Sequence, residues 1–156
     1  MNGSAALISM FVKDEDELKR LVEQLFLWYQ QSELPVYIPP KPTLDIEVTK
    51  SVSNSVLCHV SVTRWCKVSG HKPLTKPQRE RCKRLTADTA KKTVEILNAH
   101  FTSRYSVTLQ HDEKTMECMS CHTKGNELQP REFRTENTSG KMRCSSCHST
   151  LGDDHV

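Results

Sequence analysis

The chain is short of apolar and aromatic residues. Of its 156 residues, 36% are hydrophobic and 6% aromatic, so aliphatic packing alone is a thin basis for a core. No run approaches 18 consecutive apolar residues, which excludes a membrane-spanning helix and predicts no membrane insertion. The apolar start, Ala5-Ala6-Leu7-Ile8 with Met10 and Phe11, lacks a basic lead-in and a small-residue cleavage site. It therefore does not read as a signal peptide, but as the end of a buried segment entered midway. A strong charge bias is missing too: 22 Lys and Arg face 19 Asp and Glu, a net charge of +3. That mild excess gives no reason to invoke nucleic acid. The charged fraction of 26% is that of a folded domain, not a disordered polyelectrolyte. What the chain has in plenty is seven cysteines and seven histidines. An odd cysteine count argues against a simple all-disulfide framework, so a metal or cofactor is expected to help hold the fold.

Four of the cysteines form two C-x-x-C pairs. Met116-Glu-Cys-Met-Ser-Cys-His122 and Met142-Arg-Cys-Ser-Ser-Cys-His148 share the pattern M-x-C-x-S-C-H at an offset of 26 residues. Each contains C-x-x-C-H, the attachment signature of c-type haem. Two thiols one helical turn apart add across the two vinyl groups of one porphyrin, and the next histidine ligates the iron. Cys118, Cys121 and His122 would thus bind one haem, and Cys144, Cys147 and His148 a second. The alternative is a zinc ribbon with Cys118, Cys121, Cys144 and Cys147 on one structural zinc. The gap of 22 residues between the pairs is slightly long for a ribbon, and a ribbon does not require histidine after both pairs. A dithiol reductase is weaker, since neither pair opens the helix of a βαβ unit.

Before these motifs the chain reads as helical. Leu18, Leu21, Val22, Leu25, Phe26 and Tyr29 recur at helical spacing over residues 14–32, with acidic residues on the first turn. The aromatic end, Phe26-Leu27-Trp28-Tyr29, is core or an aromatic wall for a cofactor. Pro35, Pro39, Pro40 and Pro42 make residues 33–55 a linker or extended loop. Residues 55–68 fit a helix ended by Gly70 better than a strand. The strongest helix is 76–100, with Thr75 as N-cap, Pro77 in the first turn, and a stripe of Ala87, Ala90, Val94 and Leu97. Residues 101–113 are β-capable, with Tyr105, Val107 and Leu109 alternating. The span 61–93 holds ten Lys and Arg against Glu80 and Asp88. It reads as a solvated basic face, or as a docking surface for an acidic redox partner or a counter-charge for haem propionates.

The segments Cys58-His-Val-Ser-Val-Thr-Arg-Trp-Cys66, Glu80-Arg-Cys-Lys-Arg-Leu-Thr-Ala87 and Thr93-Val-Glu-Ile-Leu-Asn98 resemble the split-Soret cytochrome c family of anaerobic bacteria. So do Trp28-Tyr29, Leu34-Pro-Val-Tyr-Ile-Pro39 and the two terminal C-x-x-C-H sites. The resemblance implies a periplasmic electron carrier rather than an enzyme, working as a homodimer. It implies two covalent haems with histidine at both axial positions, for which His59, His100 and His111 are the distal candidates. It also makes Cys58, Cys66 and Cys82 candidate ligands of an iron–sulfur cluster; read without it, they are small buried side chains on helices. A cluster usually takes four protein ligands, so the chain is expected to be the C-terminal part of a longer protein, with Met1 not its native start. The expected architecture is mainly α. A small helical domain over 1–110, truncated at its N-terminus, precedes a loop-rich segment over 111–156 organised around the two haems.

Overall fold

The computed structural model describes residues 1–104 and 109–122, the last four of these as backbone only. The described chain is mainly helical, with one short β-ladder. Helix α1 (Asn2–Phe11) turns inward at Ile8, and Val12 stops it in an extended conformation. Helix α2 (Glu15–Gln31) starts at Asp14, whose carboxylate accepts the Glu17 backbone N–H at 2.8 Å. Glu15, Asp16 and Glu17 then put negative charge on the positive end of the helix dipole.

The apolar stripe of α2 carries the core. Leu21 and Leu25 are wholly buried and pack with Ile8 and Val12, and with Ile96 and Leu97 of helix α4 (Lys76–Phe101). A second cluster joins Tyr29, Leu34 and Leu85, and Met1 and Trp28 pack against both clusters. The aromatic end of α2 is therefore core.

Beyond α2, strand β1 (Glu33–Leu34) pairs antiparallel with β2 (Ser51–Val52), Glu33 opposite Val52. The expected loop thus contains a short ladder, and the Leu34–Pro35 peptide within it is cis. Residues 35–50 cross α4 as a strap. Prolines donate no backbone hydrogen bond, so side chains of the helices do the tying. The Asp88 carboxylate accepts the backbone N–H of Val36 at 2.8 Å and of Tyr37 at 3.0 Å. Lys83 donates to the Thr43 hydroxyl, Arg84 to the Ile46 carbonyl, and the Trp65 indole to the Thr49 carbonyl at 2.9 Å.

Helix α3 (Cys58–Ser69) ends at Gly70, whose φ of +74° is the left-handed cap expected there. Helix α4 departs from expectation in two ways. Thr75 precedes it, but its hydroxyl bonds back to the Lys72 carbonyl and caps no N–H. Its inward face is Glu80, Arg81, Arg84, Leu85, Asp88, Thr89, Thr93, Ile96 and Leu97, while Val94 is 49% exposed and Ala90 faces water. Thr89 and Thr93 fit inside because each hydroxyl bonds the carbonyl four residues back. The basic span is not all solvated either, since Arg81 and Arg84 point inward.

The β-capable stretch forms no strand among its described residues. Tyr105 and Val107 lie outside them, and Leu109–Asp112 runs without ladder pairing into helix α5 (Glu113–His122). No helix of the described residues is long and apolar enough to cross a membrane.

Candidate redox site

Two arrangements bear on chemistry. The first lies where α2, α3 and α4 meet. The Ser61 hydroxyl accepts the Tyr29 O–H at 3.1 Å and an Arg81 N–H at 2.7 Å. All three residues are buried, Arg81 to 2% exposure. A second Arg81 nitrogen stands 4.0 Å from the Cys82 sulfur, and Gln78 donates to that sulfur at 2.9 Å. The Gln78 amide is fixed in this sense because its oxygen accepts the Leu74 backbone N–H. Burial pushes the Tyr29 phenol above its ordinary range; Ser61 and Arg81 oppose this, and the nearby Cys58 and Cys82 sulfurs add to it. Cys58, the first residue of α3, and Cys82 of α4 thus flank one buried polar centre. Beside it, Glu80 and Arg84 form a buried ion pair at 3.0 Å. Burial raises the Glu80 carboxyl, but the hydrogen bond and charge of Arg84, with the Leu44 backbone and Lys83, together hold it below its usual range.

Cys58 is exposed, Cys66 and Cys82 are half-buried, and all three are free thiols. Among the described residues, no three His, Cys, Asp or Glu side chains are grouped to hold a metal ion. Cys58 and Cys82 share the Tyr29 centre; nothing draws Cys66 into it.

The second arrangement runs along α2. The His100 Nδ1 lies 2.9 Å from Glu17, and Arg20 grips the same carboxylate. The hydrogen bond from Arg20 is the main reason the Glu17 carboxyl sits below its ordinary range. Farther along α2, the His111 Nε2 lies 2.9 Å from Glu23, Gln24 donates to the Leu109 carbonyl, and Gln31 donates to the Gln110 carbonyl. Asp112 then caps α5 by accepting the Thr115 N–H at 2.9 Å. These contacts dock the start of α5 on α2, next to a cleft lined by Leu27, Gln31, Asn54 and His111. The backbone of Cys118, Cys121 and His122 forms the last turn of α5. His59 is exposed in the first turn of α3. Cys144, Cys147 and His148 lie outside the described residues.

Sequence reading missed Arg81, Gln78, Tyr29 and Ser61 as one centre. The available signal was Gln78 four residues before Cys82 on a helix, with arginine immediately before the thiol.

Comparison with known proteins supports a redox or electron-transfer role. Residues 1–96 match the model of a family described as "Putative redox-active protein (C_GCAxxG_C_C)". The chain is also 35% identical over 152 residues to a split-Soret cytochrome c from Desulfovibrio desulfuricans. That match covers 94% of this chain and 52% of the relative, so the chain spans about half the length of the curated relative it matches. No solved structure matches. The match spans more than half of the chain and takes in Cys58, Cys66 and Cys82, so the chain belongs to this C_GCAxxG_C_C family.

Proposed function

We propose that the chain is an electron-transfer cytochrome of the c type, with two covalent haems per chain. The observation that carries this reading is the last turn of α5. Cys118, Cys121 and His122 occupy positions i, i+3 and i+4 of a helix, the spacing that lets two thiols and an imidazole serve one porphyrin. The same M-x-C-x-S-C-H pattern recurs at Cys144, Cys147 and His148, and the curated relative is named a cytochrome c. When bound, haem supplies reversible one-electron chemistry.

The chain's own part is tethering and ligation. Cys118, Cys121, Cys144 and Cys147 would hold the porphyrins, and His122 and His148 would be iron ligands. His100 and His111 suit the distal role because each already has a carboxylate on one ring nitrogen. A carboxylate on one nitrogen orients an imidazole and raises the basicity of the other, the usual second shell of a metal-bound histidine. His59 has no such partner among the described contacts. Histidine ligation of this kind would leave electron transfer, not substrate binding, as the chemistry haem supplies.

Cys58, Cys66 and Cys82 do not by themselves make the ligand set of an iron–sulfur cluster; such a centre would need ligands from outside the described residues. A periplasmic location, a homodimer and an acidic redox partner for the basic face belong to the same proposal. The test is production with a cytochrome c maturation system, followed by acid–acetone extraction and metal analysis. Haem that survives extraction on both C-x-x-C-H peptides is expected. One zinc per chain without covalent haem would replace this reading with the zinc ribbon.

A further inference from the structure

The turn between α3 and α4 holds a leucine out in water. Leu74 is 81% exposed, the highest value of any large apolar side chain among the described residues. Its φ is +64°, in the left-handed region that a bulky residue rarely enters. Such a conformation persists only where its surroundings impose it. Here they do: the Leu74 N–H donates to the Gln78 side-chain oxygen at 3.2 Å, and the Thr75 hydroxyl to the Lys72 carbonyl at 2.7 Å. The His71 ring stacks on buried Trp65 with centroids 5.6 Å apart, and its backbone N–H donates to the Ser69 hydroxyl. The turn is thus held to one shape, and that shape carries Leu74 outward. Val68, in the last turn of α3, is 63% exposed as well.

The charged residues of this corner are cations. Arg64 lies one turn before Val68 on α3, Lys67 precedes it, Lys72 is in the turn, and Lys76 and Arg79 stand on the first turn of α4. No ion pair among the described residues involves any of them. The one acidic residue between positions 48 and 87 is Glu80, which is buried and paired with Arg84. Asp45 and Glu47 of the strap pair with none of the five. Exposed apolar atoms within a charged rim have the anatomy of a protein interface. The rim selects an acidic partner, and the apolar centre selects a protein over a phosphate chain. Trp65, the ring of this corner that could stack on bases, is buried. Two aliphatic side chains are too little apolar surface to anchor in a bilayer.

We propose that the α3–α4 turn is the docking surface for an acidic electron-carrier protein, with Leu74 at its centre. The rim cations steer the approach, and Leu74 sets the lifetime of the complex. This rests on the redox reading of the chain and assigns it a partner surface; it does not depend on the number of haems.

The experiment is calorimetric titration of the full chain, made with a cytochrome c maturation system, with a small acidic ferredoxin at several salt concentrations. Binding that weakens as salt rises is expected. Lys72→Glu together with Lys76→Glu should weaken it about tenfold or more and flatten the salt dependence. Leu74→Ser should weaken it about tenfold, the scale of a central interface residue, with the salt dependence kept. Lys91→Glu, about 22 Å farther along α4, should change little. Leu74→Gly should weaken binding like Leu74→Ser without lowering the urea midpoint, because glycine is at ease at this φ. A lowered midpoint would make Leu74 a structural residue and overturn the proposal. Ferredoxin that fails to bind, or that binds wild type and these variants equally, overturns it too. Tighter binding to duplex DNA or to phosphatidylglycerol vesicles, lost on charge reversal, would give the surface to those ligands instead. Haem content is read on the same samples. Loss of covalent haem with docking intact defeats the cytochrome reading alone, and docking insensitive to this corner in haem-loaded protein defeats this one alone.

Discussion

Asp88 illustrates how single residues hold this molecule. It is 4% exposed and gives its two carboxylate oxygens to consecutive backbone N–H groups of the strap. Removing it leaves both donors without their partner. Asp88→Ala should therefore cost about 1–3 kcal/mol, seen as a lower urea midpoint at unchanged slope; an unmoved midpoint would show that the strap does not depend on this clamp. Glu80 makes a prediction about pH. Burial raises its folded carboxyl, but Arg84, the Leu44 backbone and Lys83 together hold it below the ordinary value of 4.5. The unfolded chain therefore takes up this proton first as pH falls. The stabilisation is complete above about pH 4.5 and is lost as pH falls from there through the folded value. Unfolding curves of wild type and Glu80→Gln should converge as the solution is acidified past that point. A stability gap that stayed constant across the series would remove Glu80 from the acid response.

At the level of elements, legibility followed hydrophobic periodicity. Helix α2 was readable because apolar residues recur at spacings of three and four on its buried face, which also takes in Gln24 and Gln30, and because Asp14 and the acidic first turn mark its start. Helix α3 was readable at its end, where Gly70 supplies the left-handed cap. The existence of α4 was readable, but its orientation was not. Periodicity counts apolar residues, and this helix buries Glu80, Arg81, Arg84, Asp88, Thr89 and Thr93 while exposing Val94. Those residues enter because they have partners: Glu80 and Arg84 each other at i,i+4, Arg81, Arg84 and Asp88 distant segments that no local pattern records, and the threonines their own backbone. The redox centre was half legible for the same reason. The cysteines were visible, whereas the arginine, serine and tyrosine between them meet only through helix packing. The contrast has a measurable form. Leu25→Ala, in the wholly buried core, should cost about 2–5 kcal/mol. Val94→Ala, on the sequence-derived stripe, should change stability by no more than about 0.5 kcal/mol. Equal losses in chemical denaturation would restore the stripe to the interior.

For the whole molecule, the two motifs define separable units of the proposed function. Cys118→Ser and Cys144→Ser should each abolish one covalent attachment and leave the other, read as single loss of thioether-bound haem on the mapped peptide. Simultaneous loss at both sites would mean that the two attachments are one structural event. The strap has a further consequence for the order in which the molecule assembles. Its ties to α4 join residues 38 to 52 positions apart in the chain, and the entropy of closing such loops must be met before the hydrogen bonds repay it. Local helices and the α1–α2 contacts require no such closure. The strap therefore does not precede the helix it ties, and the inward Arg84 and Asp88 of α4 gain these partners only when that step is taken. Part of the environment of this helix is thus conferred by a segment that is itself neither helix nor sheet.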